Sequence, residues 1–231
     1  MRQAAMALAA LAIVTAMGPG SAMTAPKPSA IPLAWEVEFD SIEPRAIMVQ
    51  PEGESKPRLF WYLKYTVTNH YHDKEGKTQD LLCTPSFTLY TDTGQVIKAN
   101  MAVPDAVYQQ IVKIENDPLM LSPNGMAGKE SKLLYGADNA KTSVAILPDF
   151  DPAAGQFDIF VGGLSGESRT VTLQQPVTET AKDFITGQPV TTTVDKIVLV
   201  KTLQLTYSVP GEAAARKHTA PTLVEKKWVM R

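Results

Sequence analysis

Leu59-Phe60-Trp61-Tyr62-Leu63-Lys64-Tyr65-Thr66-Val67-Thr68-Asn69 alternates with a period of two. Leu59, Trp61, Leu63, Tyr65 and Val67 fall on one side, and Phe60, Tyr62, Lys64, Thr66 and Thr68 on the other. Successive side chains of a strand point to opposite faces, so one face here is apolar and the other mixed, as in a sheet half covered by a second sheet. β-branched and aromatic residues fill the stretch, and neither Gly nor Pro interrupts it. It is the central strand of a β-sandwich whose other strands are arranged to cover Trp61.

On its N-terminal side, Ala34–Phe39 alternates Trp35, Val37 and Phe39 against Glu36 and Glu38, a first strand, and Arg45–Gln50 between Pro44 and Pro51 is a second. Beyond it, His70–Asp80 is a polar turn, and Leu81–Tyr90 and Gln95–Ala99 are strands joined by a Thr91-Asp92-Thr93-Gly94 hairpin turn. The rhythm then changes. Val103, Val107, Ile111 and Ile114 recur at helical spacing behind Pro104 and Asp105, which predicts one short helix over 103–115, packed as core cover over a sandwich end. Leu121–Glu130 is a long loop; Thr142–Phe150, Gln156–Leu164 and Thr170–Leu173 are strands. Residues 174–190 are polar and Thr-rich, a hairpin extension or an inserted loop. Ile197–Val209 carries Val198, Val200, Leu203, Leu205 and Tyr207; its change of phase predicts a bulge near Lys201-Thr202. Pro210–Pro221 is a flexible connection, and Thr222–Arg231 closes the sheet through Leu223, Trp228 and Met230. About eight to ten strands with one helix give an all-β sandwich, one domain over 34–231.

The chain has 231 residues, of which 44% are apolar and 20% charged, a composition that buries a real core. A net charge of −2 with thinly spread Lys and Arg leaves no nucleic-acid footprint. The mild basic excess after Arg216 (Lys217, Lys226, Lys227, Arg231) is a solvated edge. At the start, Arg2 and the α-amine precede a 14-residue apolar run, Ala4–Met17, shorter than the ~20 residues of a membrane span. Gly18-Pro19-Gly20-Ser21-Ala22 follows, so residues 1–22 are expected to be a signal peptide cleaved after Ala22, with Ala25 the second choice. Residues 23–33 are then a loose N-terminal arm, and the mature protein is periplasmic or secreted and does not span a membrane. Cys83, the sole cysteine, rules out an intramolecular disulfide and is expected to be a buried, inert thiol.

The pattern of Trp61–Asn69 resembles the mid-domain strand of immunoglobulin-like modules in exported bacterial proteins, where an aromatic-rich strand closes with Val-x-Asn before a polar hairpin. Pro148–Pro152, Phe160–Glu167, Lys201–Gly211 and Lys226–Arg231 are similar to segments of uncharacterised secreted bacterial proteins. The resemblance implies a fold and an address but no activity.

Three constellations bear on chemistry. His70 and His72, two apart on extended backbone, point the same way as metal ligands do, yet a zinc needs a third protein ligand; Asp73 alternates away and His218 is distant in sequence. Ser165 lies in Gly162-Gly-Leu-Ser-Gly-Glu167, where the last glycine of a nucleophile elbow is displaced and a strand, not a helix, follows. Asp149, Asp151 and Asp158 are oxygen donors without EF-hand spacing. No catalytic, cofactor or metal residue is therefore assigned. The expected function is a non-enzymatic binding or structural module of the cell envelope, facing an unknown envelope or extracellular protein through an edge strand. The alternative is a periplasmic hydrolase or metal-binding enzyme using Ser165 or His70/His72.

Overall fold

The computed structural model describes residues 26–182, 188–216 and 219–231; the expected signal peptide and His218 lie outside them. The described residues divide into two compact units: Pro28–Glu167 with Lys201–Val229, and Ser168–Val200 with Met230–Arg231 and residues 26–27.

The larger unit is built on β3 (Arg58–Thr68). Along one edge runs β8 (Lys141–Pro148), antiparallel, from Phe60↔Pro148 to Val67↔Lys141. Along the other edge, β1 (Glu38–Ser41) and β2 (Arg45–Val49) follow one another, β1 against Tyr65–Thr68 and β2 against Arg58–Tyr62. Pro44, which has no N–H, falls in the break between them, while the Ile42 amide donates to the Lys64 carbonyl at 3.1 Å and carries the ladder across. The second sheet orders β6 (Val96–Lys98), β5 (Ser86–Thr91), β9 (Gln156–Gly162) and the Leu203–Ser208 part of β11 (Pro189–Ser208), and β12 (Thr222–Met230) also pairs β11, as the sequence led one to expect of the C-terminal segment. The β5–β6 turn is the expected hairpin, closed by a bond from the Gly94 amide to the Thr91 carbonyl, with Gly94 at φ +90°. β4 (Leu81–Leu82) and β7 (Lys132–Leu133) form a small separate pair.

The two larger sheets enclose one core. Trp61, Leu63, Tyr65 and Val67 from β3 pack with Phe87, Leu89, Phe157, Ile159, Leu205 and Tyr207 from the opposite sheet. The Tyr65 and Phe87 rings stand 4.8 Å apart, and Trp61 and Phe150 5.4 Å apart. The other face of β3 is not left to solvent. Phe60 and Tyr62 are buried beneath α1 (Asp105–Glu115), with Ile47, Val49, Val144 and Ile146 beside them and Val107 and Ile111 above. The predicted helix thus covers the face of this sheet rather than an end, and burying a side chain of Phe60's size is worth ~1.5–3 kcal/mol. Ile114, the last residue of the predicted stripe, is exposed. Asn116 at φ 48° ends the helix.

Four expectations need correction. The Leu81–Tyr90 strand is broken between β4 and β5 at Cys83-Thr84-Pro85. The Leu121–Glu130 loop contains α2 (Pro123–Ala127), whose Ser122 hydroxyl accepts the Gly125 amide at 3.0 Å. The Pro210–Pro221 connection contains α3 (Ala213–Arg216), pinned by Arg216 Nε donating to the Gly211 carbonyl at 2.8 Å. The bulge foreseen at Lys201-Thr202 lies on the facing chain. β11 spends only those two residues between Val200↔Ser168 and Leu203↔Val161, whereas the facing chain spends the six of Gly162–Glu167. Val198 and Val200 are exposed, and Lys201 is buried.

The smaller unit is a two-stranded antiparallel arm of β10 (Ser168–Lys182) and the Pro189–Val200 part of β11. Its ladder runs from Ser168↔Val200 to Lys182↔Pro189, with a shift of register between Thr172 and Val177. Of the polar stretch 174–190, the residues up to Lys182 and from Pro189 are strand, and 183–187 lie outside the described residues. Val200 and Arg231 exchange both backbone hydrogen bonds, at 2.7 and 3.0 Å.

Candidate functional site

The residues singled out by sequence are held apart in separate roles. His70 Nε2 bonds Glu38 Oε2 at 2.9 Å, and His72 Nδ1 meets the His70 carbonyl at 3.2 Å while its ring stands edge-on to Tyr135. Both imidazoles are exposed. Among the described residues no three His, Cys, Asp or Glu side chains gather as a metal would require. Ser165 is buried, and its hydroxyl accepts the Glu167 amide at 3.2 Å; among the described residues no imidazole bonds to it. Its segment is the looped-out chain facing Lys201. Gly163, at φ +78°, lies against the Thr84 carbonyl, and Gly166 lies against the Trp35 indole, so a Cβ at either would collide. Asp149 and Asp151 accept backbone amides of Phe150 and Ala153, and Asp158 accepts the Thr206 hydroxyl at 2.6 Å. Cys83 is fully buried, and burial pushes its thiol up to about 12.

Two charged clusters had no sequence signal. In the first, Lys201 Nζ, on a side chain 2% exposed, lies 2.7 Å from Glu36 Oε2 and 3.5 Å from Glu167 Oε2. It donates to the Ser29 carbonyl at 3.2 Å and stands 5.0 Å from the Trp228 ring centre. The Ser29 amide in turn donates to Glu167 Oε1 at 3.1 Å, so the N-terminal arm, predicted to be loose, is tied down at this point. Burial pushes the Glu167 carboxyl up, but the hydrogen bonds from Ser29 and the Lys201 ammonium outweigh it and hold it below the usual glutamate value. In the second, Glu115 at the end of α1 accepts from the Tyr62 hydroxyl at 2.7 Å and Arg45 at 2.8 Å, with Lys64 at 3.7 Å. These cations offset a carboxylate at the negative end of a helix. Both clusters bind segments of the fold together.

What the fold leaves open is strand edge. β10 pairs with β11 alone, and among the described residues no strand covers its other edge. No arm residue whose exposure is described is buried: Val171, Leu173, Val177, Val194, Ile197 and Leu199 are half-buried, and the threonines are exposed. Cross-strand hydroxyl pairs Thr178–Thr193 (3.4 Å) and Thr180–Thr191 (3.1 Å) line the distal half. Unpaired N–H and C=O groups along such an edge are a template for a further strand. Among the described residues no helix is long and apolar enough to cross a membrane. Comparison of the chain with family models, curated proteins and solved structures found no match.

Proposed function

We propose that this chain is an exported, non-enzymatic β-sandwich of immunoglobulin-like type, acting in the periplasm or outside the cell as a binding module of the envelope. The outer edge of β10 receives an extended segment of a partner protein. The observation that carries this is the arm itself. A two-stranded hairpin is marginal in water, yet here β10 and the Pro189–Val200 part of β11 form one with no buried residue among those whose exposure is described. A third strand on β10 adds backbone bonds along the edge and covers the half-buried valines and leucines. The apolar run Ala4–Met17 supports export.

The test is capture from envelope extract with the mature chain and with Thr172→Lys/Thr178→Lys, which places cations on the β10 edge without touching the two-sheet core. The proposal expects a specific partner on the parent chain and its loss from a variant with an unchanged thermal midpoint. Equal recovery by both chains, or no specific partner on either, overturns it.

A further inference from the structure

A cleft of about 310 Å3 lies between the first turns of α1 and the Ser122–Asn124 turn, at the lower end of the range of small-molecule sites. Its wall begins at Asn100, whose backbone N–H donates to the Ile146 carbonyl at 2.7 Å and whose side-chain Oδ1 accepts the Ile146 backbone N–H at 2.8 Å. Asn100 and Ala102 both hold positive φ, +63° and +53°, a backbone that alanine rarely adopts, so the β8 edge fixes this wall in an uncommon shape.

The polar groups around the cleft are more telling than its shape. With Oδ1 committed, Asn100 presents its amide N–H donors. The Ser122 hydroxyl accepts from Gly125 and keeps its own proton to give. The Asp105 carboxylate and the amides of Gln109 and Asn124 make no side-chain hydrogen bond among the described residues. The Tyr108 hydroxyl is spent on the Met120 carbonyl, which leaves its ring as an apolar plate. Among the described residues no Lys or Arg lines the cleft.

We infer that this cleft binds a neutral, hydroxyl-rich ligand, a saccharide unit. An anion meets one carboxylate and no cation there. A calcium ion needs six to eight oxygens, and Asp105 is the one carboxylate supplied. An apolar ligand strands the amides without partners. Adjacent hydroxyls, each both donor and acceptor, answer the side-chain amides in pairs, and the carboxylate strengthens the bond it accepts. The site belongs to the larger unit and does not depend on the reading of the β10 edge.

The experiment titrates the 15N-labelled mature chain with glucose, galactose, mannose and N-acetylglucosamine at millimolar concentration, with glutamate and trialanine as probes of the competing chemistries. A sugar is expected to shift the side-chain amide signals of Asn100, Gln109 and Asn124, and Gln109→Ala, on the exposed side of α1, to weaken that response about tenfold, the effect of losing ~1.4 kcal/mol. Silence with all four sugars, a response as large to glutamate or trialanine, or a response that Gln109→Ala leaves unchanged overturns the assignment.

Discussion

Lys201 holds a place that an apolar residue fills in an ordinary strand, and its ammonium lies among two carboxylates, a carbonyl and an indole. Removing one partner of a buried ion pair costs more than the pair contributes, because the other charge is left uncompensated. Lys201→Met is therefore expected to lower unfolding free energy by ~3–5 kcal/mol in urea melts, and Glu167→Gln added to it to restore part of the loss. A second change that only deepens the loss contradicts the coupling. The pH sign follows from Glu167. Its folded carboxyl titrates below the unfolded value, so the stabilisation is complete above the unfolded range and fades as pH falls through the folded value. Trp61 is the opposite kind of residue. Its indole is 4% exposed, and Nε1 has no hydrogen-bond partner, so its worth is the area it buries. Trp61→Ala should cost ~3–5 kcal/mol and Trp61→Phe distinctly less, since phenylalanine keeps a ring in the core and removes the orphan donor. A loss below about 1 kcal/mol for the alanine variant contradicts the burial.

At the scale of elements, β3 was legible because alternation survives in it without interruption, and α1 because its apolar spacing changes from two to about four. What the alternation hid is that both faces of β3 are covered. Phe60 and Tyr62 read as a mixed face because the helix that buries them lies about 45 residues away in sequence. The Lys201 cluster was illegible for a related reason: Glu36, Glu167 and Lys201 meet only in the folded chain, and composition places lysine outside. α2 was missed because Pro123-Asn124-Gly125 is also the vocabulary of loops. At this scale Ile111→Ala should cost ~2–5 kcal/mol and speed hydrogen exchange at the β3 amides of Phe60 and Tyr62, whose side chains pack against α1. Glu115→Ala, which takes the acceptor from the Tyr62 hydroxyl while Lys64 keeps Asp117 at 3.0 Å, should cost ~1–3 kcal/mol. Unchanged stability in both contradicts α1 as core cover.

For the whole molecule, three tyrosines tie stability to alkaline pH. Burial pushes Tyr62, Tyr65 and Tyr207 up to about 12, with the Glu115 carboxylate adding to the effect at Tyr62. The folded state favours the neutral phenols, so their stabilisation is complete below the unfolded value of 10.0 and is lost as pH rises towards about 12. Urea midpoints should fall steeply across that window, and a flat profile contradicts the burial of these rings. The larger unit, which carries the cleft, is two sheets closed around one aromatic core. The most direct measurement is a nuclear Overhauser spectrum of the mature chain with assigned aromatic rings. Cross-peaks between Tyr65 and Phe87, whose centres lie 4.8 Å apart on opposite sheets, are the predicted result; assigned rings with no cross-peak between them contradict it.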